Sequence, residues 1–160
     1  MTDIQRAAAY YYVQRQAFAS RPQKPSLAAS PDRPVRCRAA VARQILPQVA
    51  ERLKDVMLEN LPWERFLKLY DAPETFFFID PPYIGHDDYR HNFKREDMAA
   101  LASALKTIKG RFLMTHSDSP EIRSLFNGQS FEPIEVTYSA HTQTKRFSHL
   151  IGQEILISNY

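Results

Sequence analysis

The unbroken apolar run Phe76-Phe77-Phe78-Ile79 passes directly into Asp80-Pro81-Pro82-Tyr83, and no other stretch of the chain restricts its fold as much. Four large apolar residues in succession, bounded by a turn signal, are what a strand buried on both faces requires. Two consecutive prolines then end it. Pro81 is steered out of the helical region by the proline that follows, and Pro82 has a fixed φ and no amide hydrogen. The expected product is a stiff turn at the carboxyl end of a strand, where open α/β sheets gather their ligands.

The residue types in that turn suit one kind of chemistry. Ionised Asp80 only accepts hydrogen bonds, and the Pro81 carbonyl is a second acceptor close by. Two fixed acceptors can engage both hydrogens of an exocyclic nucleobase amine and localise a lone pair that otherwise delocalises into the ring. Tyr83 adds an aromatic face for a base taken out of its stack. Asp80, Pro81, Pro82 and Tyr83 are therefore the candidate catalytic group. The plain alternative is a turn that only ends a strand.

At these residues the chain resembles the Dam-like, α-group DNA adenine methyltransferases of bacteria and phages. The likeness extends to residues 7–18, similar to the helix after that family's target-recognition region, and to residues 52–60, similar to the strand before the catalytic motif. Residues 70–75, 112–123 and 153–160 fit the same template. The resemblance implies an α/β, Rossmann-like S-adenosylmethionine-dependent methyltransferase fold. It also implies S-adenosyl-L-methionine as cofactor, with Asp80 and Asn60 as the residues facing it, and double-stranded DNA as substrate. A cytoplasmic enzyme of restriction-modification or prophage type is the corresponding expectation. Protein glutamine and cytosine amino groups are rival methyl acceptors, although Asp rather than Asn at the head of the tetrapeptide favours adenine in DNA.

One departure from the pattern matters. The family carries a Phe-x-Gly-x-Gly loop on its first strand, ahead of the recognition region. Here the four glycines, Gly85, Gly110, Gly128 and Gly152, are isolated, and all follow the Asp-Pro-Pro-Tyr turn. The expectation is an incomplete fold corresponding to the C-terminal portion, with an unpaired apolar strand edge. Such a portion either works with a complementing N-terminal-half polypeptide or persists as a catalytically inactive DNA-binding remnant.

At 160 residues and 44% hydrophobic, the chain can bury one core. The expected division is residues 1–45, a basic end of the recognition region with a linker, and residues 46–160, the catalytic α/β portion. Residues 1–54 hold ten Lys/Arg against three acidic residues, so they carry +7 and the remainder −4 of the net +3. A basic front suits a phosphate-facing surface, with Arg15, Arg21 and Lys24, and later Lys145 and Arg146, as candidate DNA contacts. A solvated basic surface is the bland reading of the same residues. Cys37 is the single cysteine, which excludes an internal disulfide and fits a reducing compartment. No apolar stretch approaches the roughly 18 residues of a membrane span, and no signal-peptide pattern opens the chain.

Periodicity gives a coarse layout. A helix is expected over residues 3–19, with its tyrosines in the core, and then a proline-rich loop over 20–34. Pro47 is expected to open a helix reaching Leu53, followed by a short strand, Val56 to Leu58. A helix over Pro62–Tyr70, with Trp63 as a core anchor, precedes the strand at Phe76–Ile79. A polar cover spans residues 84–93. A helix then runs from Arg95 to Lys109, with the stripe Met98, Leu101, Leu105 and Ile108, and is ended by Gly110. A strand from Phe112, a helix from Pro120 capped by Ser119 or Asp118 and ended by Asn127-Gly128, and strands over 132–138 and 153–158 complete it. His86, Asp87, Asp88 and His91 match no metal-site spacing, and no metal is expected. His116, Ser117 and Asp118 adjoin one another without a nucleophile elbow, so pocket shaping or helix capping is their expected work.

Overall fold

The computed structural model describes residues 1–17, 37–85, 92–138 and 150–160. The described residues fall into two compact units that divide between Asn60 and Leu61. The proline-rich loop, the cover beyond Gly85 and the loop carrying Lys145 and Arg146 lie outside the described residues.

In the first unit, α1 (Asp3–Gln16) opens on a reciprocal cap. The Gln5 amide donates to Thr2 Oγ1 at 3.2 Å, and the Thr2 amide donates to Gln5 Oε1 at 2.9 Å, satisfying two donors that a helix start leaves over. Helix α2 covers Ala39–Leu53. It starts eight residues before Pro47, because residues 39–46 are mostly strong helix formers whose propensity outweighs the hydrogen bond that Pro47 cannot make. Neither helix buries a residue. Tyr10 and Tyr12 are exposed, which corrects the expectation of a tyrosine core. Val56–Leu58 is not a strand either. It continues irregularly from α2, with Met57 and Leu58 exposed, because a strand exists only by pairing and no ladder reaches this segment.

The second unit is one sheet with helices on one face. Its elements are α3 (Trp63–Tyr70), β1 (Phe76–Ile79), α4 (Arg95–Leu105), β2 (Arg111–Ser117), α5 (Pro120–Leu125), β3 (Ser130–Tyr138) and β4 (Leu150–Ser158). The strand order is β1-β2-β4-β3, with β1 parallel to β2 and both other pairings antiparallel. Strand β2 buries Phe112, Met114 and His116 alternately, as period-two side-chain placement requires. With Phe77, Ile155 and Ile157, Phe112 and Met114 meet Leu67 of α3, Met98, Leu101 and Leu105 of α4, Ile122 of α5 and Phe126 just after it.

Strand β1 departs from the expectation of burial on both faces. Phe77 points into the core, but Phe76 and Phe78 are 53% and 64% exposed. Among the described residues β1 is an edge strand, and no helix covers its second face. Helix α4 also ends four residues early. The Asp71 carboxylate captures the amides of Lys109 at 2.8 Å and Gly110 at 3.0 Å, drawing the chain out of helical register. Gly110 therefore serves close approach rather than a helix cap: a β-carbon there would lie 2.6 Å from the Thr75 carbonyl oxygen. Just after the neighbouring strand β4, the Asn159 side chain accepts from the Phe112 amide at 2.9 Å and donates to the Gly110 carbonyl at 3.0 Å.

Gly110→Ala is expected to lower the unfolding free energy by about 1–3 kcal/mol, as overpacking against backbone does, and Phe112→Ala by about 3–5 kcal/mol. Equilibrium urea unfolding checks both. An unchanged midpoint for Gly110→Ala would refute the close approach.

Candidate active site

The site is assembled from the carboxyl ends of β1 and β2 and the middle of β4. Because Ile79 pairs with Met114, the residue just after β1, Asp80, comes level with Thr115. The Thr115 hydroxyl donates to Asp80 Oδ1 at 2.8 Å. That contact fixes one carboxylate oxygen; Oδ2 takes no hydrogen bond among the described residues. Asp80 is exposed, Pro81 is buried, and Pro82 and Tyr83 are half-buried. The turn is thus anchored by its first proline while its acidic group faces solvent. Gly85, at φ 87°, sits in the left-handed region that glycine enters without a steric cost.

Tyr83 lies over His116, with ring centroids 4.7 Å apart and planes inclined by 24°. Its hydroxyl donates to Glu154 Oε2 at 3.3 Å. Burial pushes the phenol above its ordinary value; the Thr115 hydroxyl opposes this, and the Glu154 and Asp80 carboxylates add to it. The ring is therefore held in its protonated form, as a hydroxyl donor to the Glu154 carboxylate. His116 is 2% exposed. Its Nε2 receives the Ile84 amide at 3.4 Å, and its Nδ1 lies 3.1 Å from the Ser117 carbonyl oxygen.

An apolar cavity of about 360 Å³ adjoins the same turn. Trp63 and Phe66 of α3, Phe93, Leu101 of α4 and the residues from Phe77 to Pro82 are among those that line it. Trp63 meets Phe93 edge to face at 6.4 Å between ring centres and packs against the core. Tyr83 does not line this cavity.

The structure brings Asp80, Pro81, Pro82 and Tyr83 together at one strand end. Arg15, exposed in the last turn of α1, and Asn60, also exposed, belong to the first unit. Arg21, Lys24, Lys145, Arg146, His86, Asp87, Asp88 and His91 lie outside the described residues. Among the described residues no three His, Cys, Asp or Glu side chains are grouped to hold a metal ion, and no helix is long and apolar enough to cross a membrane. Asp118 does not partner His116. Its carboxylate binds Arg123 twice, at 2.7 and 2.8 Å, and that guanidinium holds the carboxyl below its usual range. Ser119 caps α5, accepting from the Ile122 amide at 3.2 Å.

Thr115 and Glu154 are the site residues that sequence reasoning missed. Glu154 left a signal, as the one carboxylate in the otherwise uncharged strand β4. Thr115 left none by itself, since its value comes from the β1–β2 register.

Residues 1–140 match the D12 class N6 adenine-specific DNA methyltransferases, and the chain belongs to that family. Among individual proteins, it is 30% identical over 115 residues to a type II methyltransferase, M.CviBI, of Paramecium bursaria Chlorella virus NC1A. The matched stretch covers 68% of this chain and 43% of that relative.

The raised Tyr83 phenol gives a pH prediction. A group whose folded-state value lies above its unfolded value of 10.0 contributes stability that is complete below that value and is lost as pH rises through the folded one. Stability of the wild type is therefore expected to fall more steeply than that of Tyr83→Phe at alkaline pH. Urea midpoints taken across that range test it; parallel alkaline limbs for the two proteins would count against a buried, protonated phenol.

Proposed function

We propose that the turn at residues 80–83 is the amine-binding half of a DNA adenine N6-methyltransferase of the Dam-like subgroup. In this reading residues 46–160 form the catalytic portion of a Rossmann-like fold, and residues 1–45 form a basic end of the recognition region that meets DNA. The observation that carries it is the Thr115–Asp80 hydrogen bond. It orients the carboxylate and leaves the second oxygen for a ligand hydrogen. An extruded adenine would direct one amino hydrogen to Asp80 and the other to the Pro81 carbonyl. As charge develops on that nitrogen, a preorganised acceptor pair stabilises it without reorganising. Tyr83 stacks on the base and replaces part of the stacking lost on extrusion.

S-adenosyl-L-methionine supplies an activated methyl group on a sulfonium. The residues described here fit that cofactor in part. Asp80 offers an acceptor for an ammonium group, and Asn60 is a second candidate contact. Gly85, Gly110 and Gly128 are isolated and form no backbone cradle. The strand and loop that complete the cofactor site are therefore proposed to come from polypeptide outside these 160 residues, pairing along the open edge of β1. The exposed Phe76 and Phe78 support this, since parallel strands are ordinarily covered on both faces. The same departure from the family pattern supports a second reading, a DNA-binding remnant without catalysis.

Incubating the chain with labelled cofactor and duplex DNA separates the two readings. Label should enter adenine only when a polypeptide bearing a Phe-x-Gly-x-Gly loop is added, and Asp80→Ala should reduce incorporation on the order of 10²-fold or more. Full incorporation by Asp80→Ala would end the first reading, while DNA retention without label under every condition would establish the second.

A further inference from the structure

His116 poses a question that the amine-binding residues do not answer. It sits on the inward face of β2 in line with Phe112 and Met114 and opposite Ile155, where an apolar side chain would pack without desolvating a polar group. Burying an imidazole costs free energy unless its nitrogens are satisfied. Here both have partners, and of opposite kinds. The Ile84 amide can only donate, so Nε2 must present its lone pair. The Ser117 carbonyl can only accept, so Nδ1 must carry the hydrogen. The two contacts admit one form of the ring, the neutral Nδ1–H tautomer, and both fix its plane.

That plane matters because Tyr83 rests on it. A ring inclined by only 24° at 4.7 Å is stacked rather than edge-on. The far end of the phenol is tethered to Glu154, and Pro82 fixes the backbone immediately before it. Tyr83 is thus held at its face, at its hydroxyl and through its backbone, and the Ile84 hydrogen bond ties the residue after it to the same imidazole.

We propose that His116 is a positioning residue for the Asp-Pro-Pro-Tyr turn: as a neutral imidazole it seats one face of Tyr83 and accepts the Ile84 amide hydrogen. This rests on the reading of Tyr83 as a stacking platform. His116 does not touch the substrate and exchanges no proton with it. It acts by limiting the rotations of Tyr83, so that the ordering is complete before the base arrives.

Two substitutions separate its two contributions. His116→Phe keeps a planar ring under Tyr83 but removes the acceptor for Ile84. His116→Gln keeps an acceptor but removes the stack. In methyl transfer by the full chain with its complementing polypeptide, each is expected to lower kcat about tenfold or more, with KM for DNA within about twofold because phosphate contacts lie elsewhere. Wild-type kcat in either variant, or a loss carried by KM alone, would overturn the proposal. A second measurement needs no activity. In nitrogen-15 spectra of the histidine-labelled full chain at neutral pH, the His116 signal, assigned by its loss in His116→Gln, should show a protonated Nδ1 and a bare Nε2. The opposite tautomer or an imidazolium would also overturn it. If the wild type transfers no methyl group under any condition, the methyltransferase reading fails, and the tautomer still decides whether His116 holds the turn.

Discussion

The parallel pairing of β1 with β2 is the constraint on which the rest of the second unit depends. It spans only four residue pairs, Phe76 with Arg111 through Ile79 with Met114, yet it decides which side chains meet at the carboxyl end. A slip of one residue would exchange the two faces of β1, placing Phe78 in the core and taking Asp80 away from Thr115. So short a ladder is held at its base by side chains instead of length. Asp71 gathers the amides of Lys109 and Gly110, Gly110 admits the Thr75 carbonyl, and Asn159 ties β4 to both. The geometry at one end of the sheet is thus secured about a strand's length away.

Strand β4 adds what a parallel pair could not supply. Running antiparallel between β2 and β3, it brings its middle to the end of β2, so that Glu154 faces Ser117 in the ladder. Two carboxylates with different surroundings then act on one phenol. Asp80 is exposed and bound to a hydroxyl, whereas Glu154 is buried and receives the Tyr83 hydrogen. The exposed one can meet a ligand, and the buried one serves the frame.

Sequence alone carried a good part of this. The run at residues 76–79, the helix at Trp63–Tyr70, the apolar stripe of α4, and the Ser119 cap with Pro120 behind it were readable because each is set by local rules of periodicity, proline and capping. The turn at residues 80–83 was readable because its residue types are restrictive. What was not legible depends on neighbours. The exposure of Phe76 and Phe78 follows from strand order. The early end of α4 follows from Asp71, nearly forty residues away in the chain. Residues 56–58 have the apolar character of a strand but no partner to pair with, and Pro47 sits inside a helix because the residues before it favour helix more strongly than one missing hydrogen bond opposes it. Thr115 and Glu154 became site residues only through register.

The bare side of β1 has a thermodynamic counterpart. Heat-capacity change on unfolding tracks the apolar surface newly hydrated, about 0.45 cal/mol/K per Å², and the rings of Phe76 and Phe78 are already largely wet in the native state. They add little to that change, so the stability curve of the isolated unit is flatter than the hydrophobic content of its sequence implies. The missing curvature is what a partner covering those rings would restore, because burying them would give the encounter a negative heat capacity of its own.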